Sequence, residues 1–264
     1  MTNPILKCLF SKQHWLILLC VANLMFNTSA YATVALSEQR IVFDDQKRAH
    51  ALRLQNKGND LVEFRVTLRD AYMQEDGTIQ FAEPESSPHS AAGLLKFSPR
   101  QGQLAPGESQ VIRFKVSKPY GLKPNEYLSF TRILTRPAQH EGKSDTQLIQ
   151  QTAYNLPIIV RHGELSAKVW LDAPALTKLA DGRWQFSAML NRSGQLSSSG
   201  QLQLIRDQEI LQEATGFAIY ANINRRQVTL RLDEKPVGLL SLIYRDDTSD
   251  TPLVSKIRIQ VAAD

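Results

Sequence analysis

Beyond residue 32 the chain has no cysteine: its only two, Cys8 and Cys20, both fall in the first segment. Disulfide staples, thiolate nucleophiles and sulfur-based metal sites are therefore excluded from the remainder. Glycine-rich phosphate loops and a G-x-S-x-G elbow are missing as well. His50, His89, His140 and His162 form no pair at zinc-ligand spacing. The stretch "GQLSSSG" reads as a polar turn, and the acid pairs Asp44–Asp45 and Asp246–Asp247 read as solvated loops, not catalytic dyads. The expectation is a protein that is not an enzyme, with no catalytic residue, no metal and no cofactor.

The first 32 residues read as an export signal. Lys7 and Lys12 give a positive start, "WLILLCVANLMF" an apolar run, and Ala30, Tyr31 and Ala32 the small-residue cleavage pattern. That run falls short of the roughly 20 residues a membrane span needs, so no stable membrane insertion is expected after cleavage. Leu19 before Cys20 argues against lipoprotein processing. The net charge of +5 drops to +3 without Lys7 and Lys12, and the charges are interleaved, which disfavours nucleic acid as a partner. Held without disulfides, residues 33–264 must rely on core packing, and their length suits two ordinary domains.

Two-residue alternation recurs along the chain. Phe64, Val66 and Leu68 share one strand face, as do Val228, Leu230 and Leu232. In "LAPGESQVIRF" a Pro106–Gly107 turn leads into a strand that points Ile112, Phe114 and Val116 inward and Val111, Arg113 and Lys115 outward. No long helical repeat interrupts this pattern, and the strand spacing predicts antiparallel sandwiches. A boundary is expected at "RHGEL", dividing 33–161 from 162–264, and "LQNKG" (54–58) is matched in style by "LNRSG" (190–194). Trp170 and Trp184 are expected in the second core.

Five pieces of the first half, "VALSEQRIVFDD" (34–45), "LRLQNKGNDLVEFRV" (52–66), "FSPRQGQLAPGESQVIRF" (97–114), "EYLSFTRIL" (126–134) and "PIIVRHG" (157–163), together resemble the periplasmic chaperones of the chaperone-usher pilus pathway. In the second half "LNRSG" and "GLLSLIYRDD" are the better matches. The resemblance implies an all-β fold, two immunoglobulin-like sandwiches set as a boomerang, located in the periplasm. Such a chaperone lends a strand to pilin-type subunits that lack their own last strand, and passes them to an outer-membrane usher.

Carried over residue by residue, the lending strand falls at about 146–161. Leu148, Gln150, Thr152, Tyr154 and Leu156 stand at the alternate positions, of which Leu148 is the one strong aliphatic among the first three. The family's anchor for the subunit's terminal carboxylate falls on Arg40, but its second cation falls on Pro157. Arg132, on the strand face of Glu126 by even spacing, is the candidate substitute. Glu126, Arg161 and Asp233 match an ion network that fixes the angle between the family's domains. The alternative reading is a carbohydrate-binding or adhesion module on the same kind of sandwich.

Overall fold

The structure, a computed structural model, describes residues 34–138, 151–247 and 253–262. The expected export signal at 1–32, and Leu148 and Gln150 of the expected lending strand, lie outside the described residues. The chain runs through β1 (Val34–Leu36), β2 (Ile41–Phe43), β3 (Ala49–Asn56), β4 (Val62–Met73), β5 (Ile79–Ala82), β6 (Leu95–Ser98), β7 (Gln101–Leu104), β8 (Ser109–Val116), β9 (Asn125–Pro137) and β10 (Thr152–His162). After a short connection come β11 (Ala167–Lys178), β12 (Trp184–Gly194), β13 (Ser198–Arg206), β14 (Glu209–Ile219), β15 (Arg225–Leu232), β16 (Gly238–Asp246) and β17 (Val254–Val261). The protein is all-β, built as two immunoglobulin-like sandwiches.

In the first sandwich one sheet has the order β1-β3-β8-β6 and the other β2-β10-β9-β4-β5, with β7 also on β4. In the second, β11-β12-β15 faces β14-β13-β16-β17. The alternation sets the faces. On β8, Ile112, Phe114 and Val116 are buried while Arg113 and Lys115 are exposed, so the strand of "LAPGESQVIRF" is a core element with its arginine in water. Ile112 and Phe114 join Ile41, Phe43, Leu52, Leu54 and Ile133 in the first core. Phe186, Leu190, Leu202, Leu204, Leu240, Leu242 and Tyr244 fill the second. The stretches "LQNKG" and "LNRSG" close β3 and β12, which hold the same place in their respective sheets.

One tryptophan departs from expectation. Val169 and Leu171 take the inner face of β11, which turns Trp170 outward and leaves it 43 % exposed. Trp184 does pack against the second core, with Lys235 Nζ 5.6 Å from its ring centre.

The two sandwiches meet through specific contacts. Ala71, Met73 and Phe130 of the first form a third apolar cluster with Ala218 and Tyr220 of the second. The turn between β4 and β5 reaches across: Gln227 N–H donates to Glu75 O (2.6 Å), and Asn222 Nδ2 donates to Met73 O (3.1 Å). Gly77, at φ +86°, needs glycine for its backbone conformation, and the Arg226 guanidinium of the second sandwich packs closely over it.

Candidate functional site

β10 is paired to β9 along its whole length, from Thr152↔Thr135 to His162↔Asn125. On its other side β2 covers it only at Ile158, Ile159 and Val160, in parallel register. From Thr152 to Pro157 that edge has no partner strand among the described residues. A proline sits in a paired strand only where its nitrogen faces away from the neighbour, so Pro157 marks 153, 155 and 157 as the positions whose backbone faces outward. The free edge thus offers the N–H and C=O groups of Ala153 and Asn155. Of the expected donor side chains, Leu156 is buried in the first core, Tyr154 packs against it, and Thr152 is half-buried beyond them.

Beside this edge runs the seam where the two sandwiches meet, the crevice, crossed by the contact of Arg40 with Asp247. Ile41 and Phe43 anchor β2 in the core, which casts Arg40 onto the opposite face. Its Nη2 donates to Asp247 Oδ1 of the second sandwich at 3.3 Å, with Arg40 25 % and Asp247 58 % exposed at the side chain. The floor is aromatic: Phe130, in register with Pro157, meets Tyr220 edge-on at 5.7 Å and Phe81 at 5.5 Å. Burial pushes the Tyr220 hydroxyl up to about 12, against the opposing pull of Arg40 and Arg226.

Arg132 lies on the same face of β9 as Glu126, Leu128 and Phe130, in register with Asn155. Two strand spacings across and two residues along separate it from Arg40, roughly 12 Å between Cα atoms. The two guanidinium groups therefore bracket Pro157 without touching. Arg132 has no ion-pair partner among the described residues.

Glu126 and Arg161 come together. Arg161 Nε donates to Glu126 Oε2 (3.2 Å), and the buried Glu126 also accepts from Ser197 N–H of the second sandwich (2.9 Å). Asp233 does not join them. It follows β15 at the end where Leu232 pairs with Trp184, and its charge acts on Arg183. Ser197 lies just past the opposite end of β12, ten residues or roughly 33 Å away. Arg192 is the nearby residue of the second sandwich, buried and donating to the carbonyls of Ile223, Gly194, Leu196 and Ala221. Burial lowers its pKa, and the nearby Glu126 carboxylate counters that.

Of the acid pairs, Asp44, Asp45 and Asp247 are exposed loop residues, and only Asp246, at the buried end of β16, departs from the loop reading. Asp44 is an ordinary turn acid that accepts from Gln46 N–H and Lys47 N–H. Asp45, however, receives Lys118 Nζ (2.5 Å) and Gly163 N–H (3.0 Å), with His162 Nδ1 at 3.0 Å, and so ties the connection between the sandwiches to the first one. The Lys118 hydrogen bond, then those of His162 and Gly163, hold its carboxyl well below the usual carboxylate range. Asp246 is buried and accepts from Ser198 Oγ (2.5 Å), and Asp247 is the crevice partner of Arg40.

No family model and no curated protein matches the chain by sequence. Among solved structures, a chain of the complex between CsuC and the tip adhesion subunit CsuE, from the archaic chaperone-usher Csu pili of Acinetobacter baumannii, aligns at a TM-score of 0.51 and 16% identity, covering 88% of this chain and 100% of that one. The YadV chaperone aligns at a TM-score of 0.50 and 11% identity, covering 86% and 100%. In fold the chain is a two-sandwich protein of the kind found in the pilus chaperones of the chaperone-usher pathway.

Proposed function

We infer that the protein is a periplasmic chaperone that binds pilin-type subunits by lending them a strand and delivers them to an outer-membrane usher. The observation that carries this reading is the uncovered edge of β10 at Thr152–Pro157, immediately beside a crevice headed by Arg40. An incomplete sandwich exposes unpaired backbone groups and an apolar groove that drive aggregation. An incoming edge strand satisfies the backbone of Ala153 and Asn155, and the expected donor side chains upstream of Leu156, from Leu148 to Tyr154, close the groove.

Leu156 already belongs to this chain's own core, so the side chains given to a subunit are those upstream of it. Arg40 receives the subunit's terminal carboxylate through charge-assisted hydrogen bonds, and Arg132 serves as the second cation across Pro157. In this reading 1–32 is a cleaved leader, 33–161 the lending unit, and 162–264 the second wall of the crevice, its angle held by Glu126, Arg161 and Ser197.

The test is co-expression with an exported subunit encoded beside this gene. The wild-type chain is expected to yield a soluble complex. Arg40→Ala is expected to lose it with an unchanged melting curve, because an exposed ion pair contributes only about 0–1 kcal/mol. Capture at full strength by Arg40→Ala sinks the anchor.

A further inference from the structure

A second feature of the first sandwich is left over from this reading. The outer face of the β9–β4 pair carries arginines at strand period. Arg65 and Arg69 flank Thr67 on β4, and Thr67 is in register with Arg132 on β9, so Arg132 is a diagonal neighbour of both. Arg100, at the turn before β7, holds its guanidinium over the Phe97 ring at 4.9 Å and adds a fourth cation to the same groove. Glu83 pairs with Arg69 at 3.0 Å and Glu85 also lines the groove, which leaves four cations against two acids. Arg65 and Arg132 have no ion-pair partner among the described residues, and Arg100 has only the ring. Like charges side by side on a sheet face are destabilising, which makes an unneutralised cluster an unusual way to cover a surface.

The backbone adds an independent sign of a linear ligand. Pairing between β7 and β4 ends at Arg65 and pairing between β5 and β4 starts at Asp70, with Val66 N–H still reaching Arg100 O at 2.7 Å. Between them Leu68 has no partner strand on that side among the described residues. Strand alternation points its N–H and C=O into the gap, along the groove wall lined by Arg69, Phe97 and Arg100.

We propose that this groove binds an acidic segment of a partner polypeptide in extended conformation. Arg65 and Arg69, four residues apart on β4, stand about 13 Å apart, the distance at which every fourth side chain of an extended segment recurs, and planar guanidinium groups grip carboxylates in pairs. A peptide is favoured over a compact anion because the cations are spread along two strands and the exposed backbone groups of Leu68 match a chain. The site shares Arg132 with the anchor proposed above, while its other cations lie on the opposite side of β9 from the free edge of β10.

The experiment measures fluorescence anisotropy of a labelled oligoglutamate of about eight residues, roughly 27 Å when extended, with the mature chain at low salt. Binding is expected that weakens as salt rises and is absent for oligoserine. Arg65→Ser/Arg100→Ser is expected to weaken it about tenfold or more, with an unchanged melting curve and unchanged subunit capture. The charge-matched control Arg113→Ser/Lys115→Ser, on the exposed face of β8, is expected to bind like wild type. Equal weakening in both double variants shows a bulk charge effect and overturns the proposal. Displacement of the peptide by inorganic phosphate at equal charge concentration overturns the extended-chain assignment.

Discussion

Tyr220 is a side chain that ties the crevice to the contact between the sandwiches. Its ring packs on Phe130 in a buried position, and desolvation disfavours the phenolate enough to push its pKa up to about 12. A group whose folded pKa is raised contributes stability that is fully present below the unfolded value and is lost as pH rises through the folded one. For Tyr220 that window runs from about 10 to about 12. The melting temperature of wild type relative to Tyr220→Phe is therefore expected to hold constant below pH 10 and to fall steadily above it. Parallel curves across the whole range show that the hydroxyl is not protected. Asp45 works in the opposite sense: its depressed pKa gives stability that is present at neutral pH and erodes only in acid, below the ordinary carboxylate range.

At the scale of elements, the free edge of β10 turns on which backbone groups face out. Asn155→Pro removes an outward N–H that has no partner strand, so the fold is expected to lose no more than about 1 kcal/mol while subunit capture is abolished. Tyr154→Pro removes an N–H directed at β9 and is expected to cost about 3 kcal/mol or more. A denaturant titration of both variants checks the contrast, and equal destabilisation puts the edge assignment in error. The strand faces themselves were legible in the sequence, because a period of two commits Ile112, Phe114 and Val116 to one side whatever the partners are. The pairing of loops across the two sandwiches was not. Asp233 and Asp247 stand in similar acidic turns, and only the closure of β12 against β15 and β13 against β16 decides which one reaches the first sandwich. Trp170 was misread for a related reason: its neighbours Val169 and Leu171 set the inward parity of β11, and a bulky aromatic at the intervening position has no choice but to face out.

For the molecule as a whole, the crevice exists because two sandwiches are pinned at several points: the apolar cluster at Phe130 and Tyr220, the turn at Gly77, the Glu126–Ser197 bond and the Asp45 clamp on the connection. Against that framework the Arg40–Asp247 pair is energetically minor, since both side chains reach water and such pairs contribute about 0–1 kcal/mol. Its consequence is for binding. An incoming carboxylate that uses Arg40 must displace Asp247, and the negative charge of Asp247 opposes its approach. The two partners of one ion pair are therefore expected to give opposite results. Arg40→Ala weakens capture of a subunit, whereas Asp247→Asn strengthens it, by up to about fivefold for an exposed charge, with little change in melting temperature for either. Competition binding with a peptide of the subunit's last residues, its carboxylate free or amidated, reads this directly: Asp247→Asn should improve affinity for the free form and leave the amidated form unaffected. If Asp247→Asn instead weakens both forms, Asp247 helps to hold the crevice open, and Arg40 is not where the carboxylate sits.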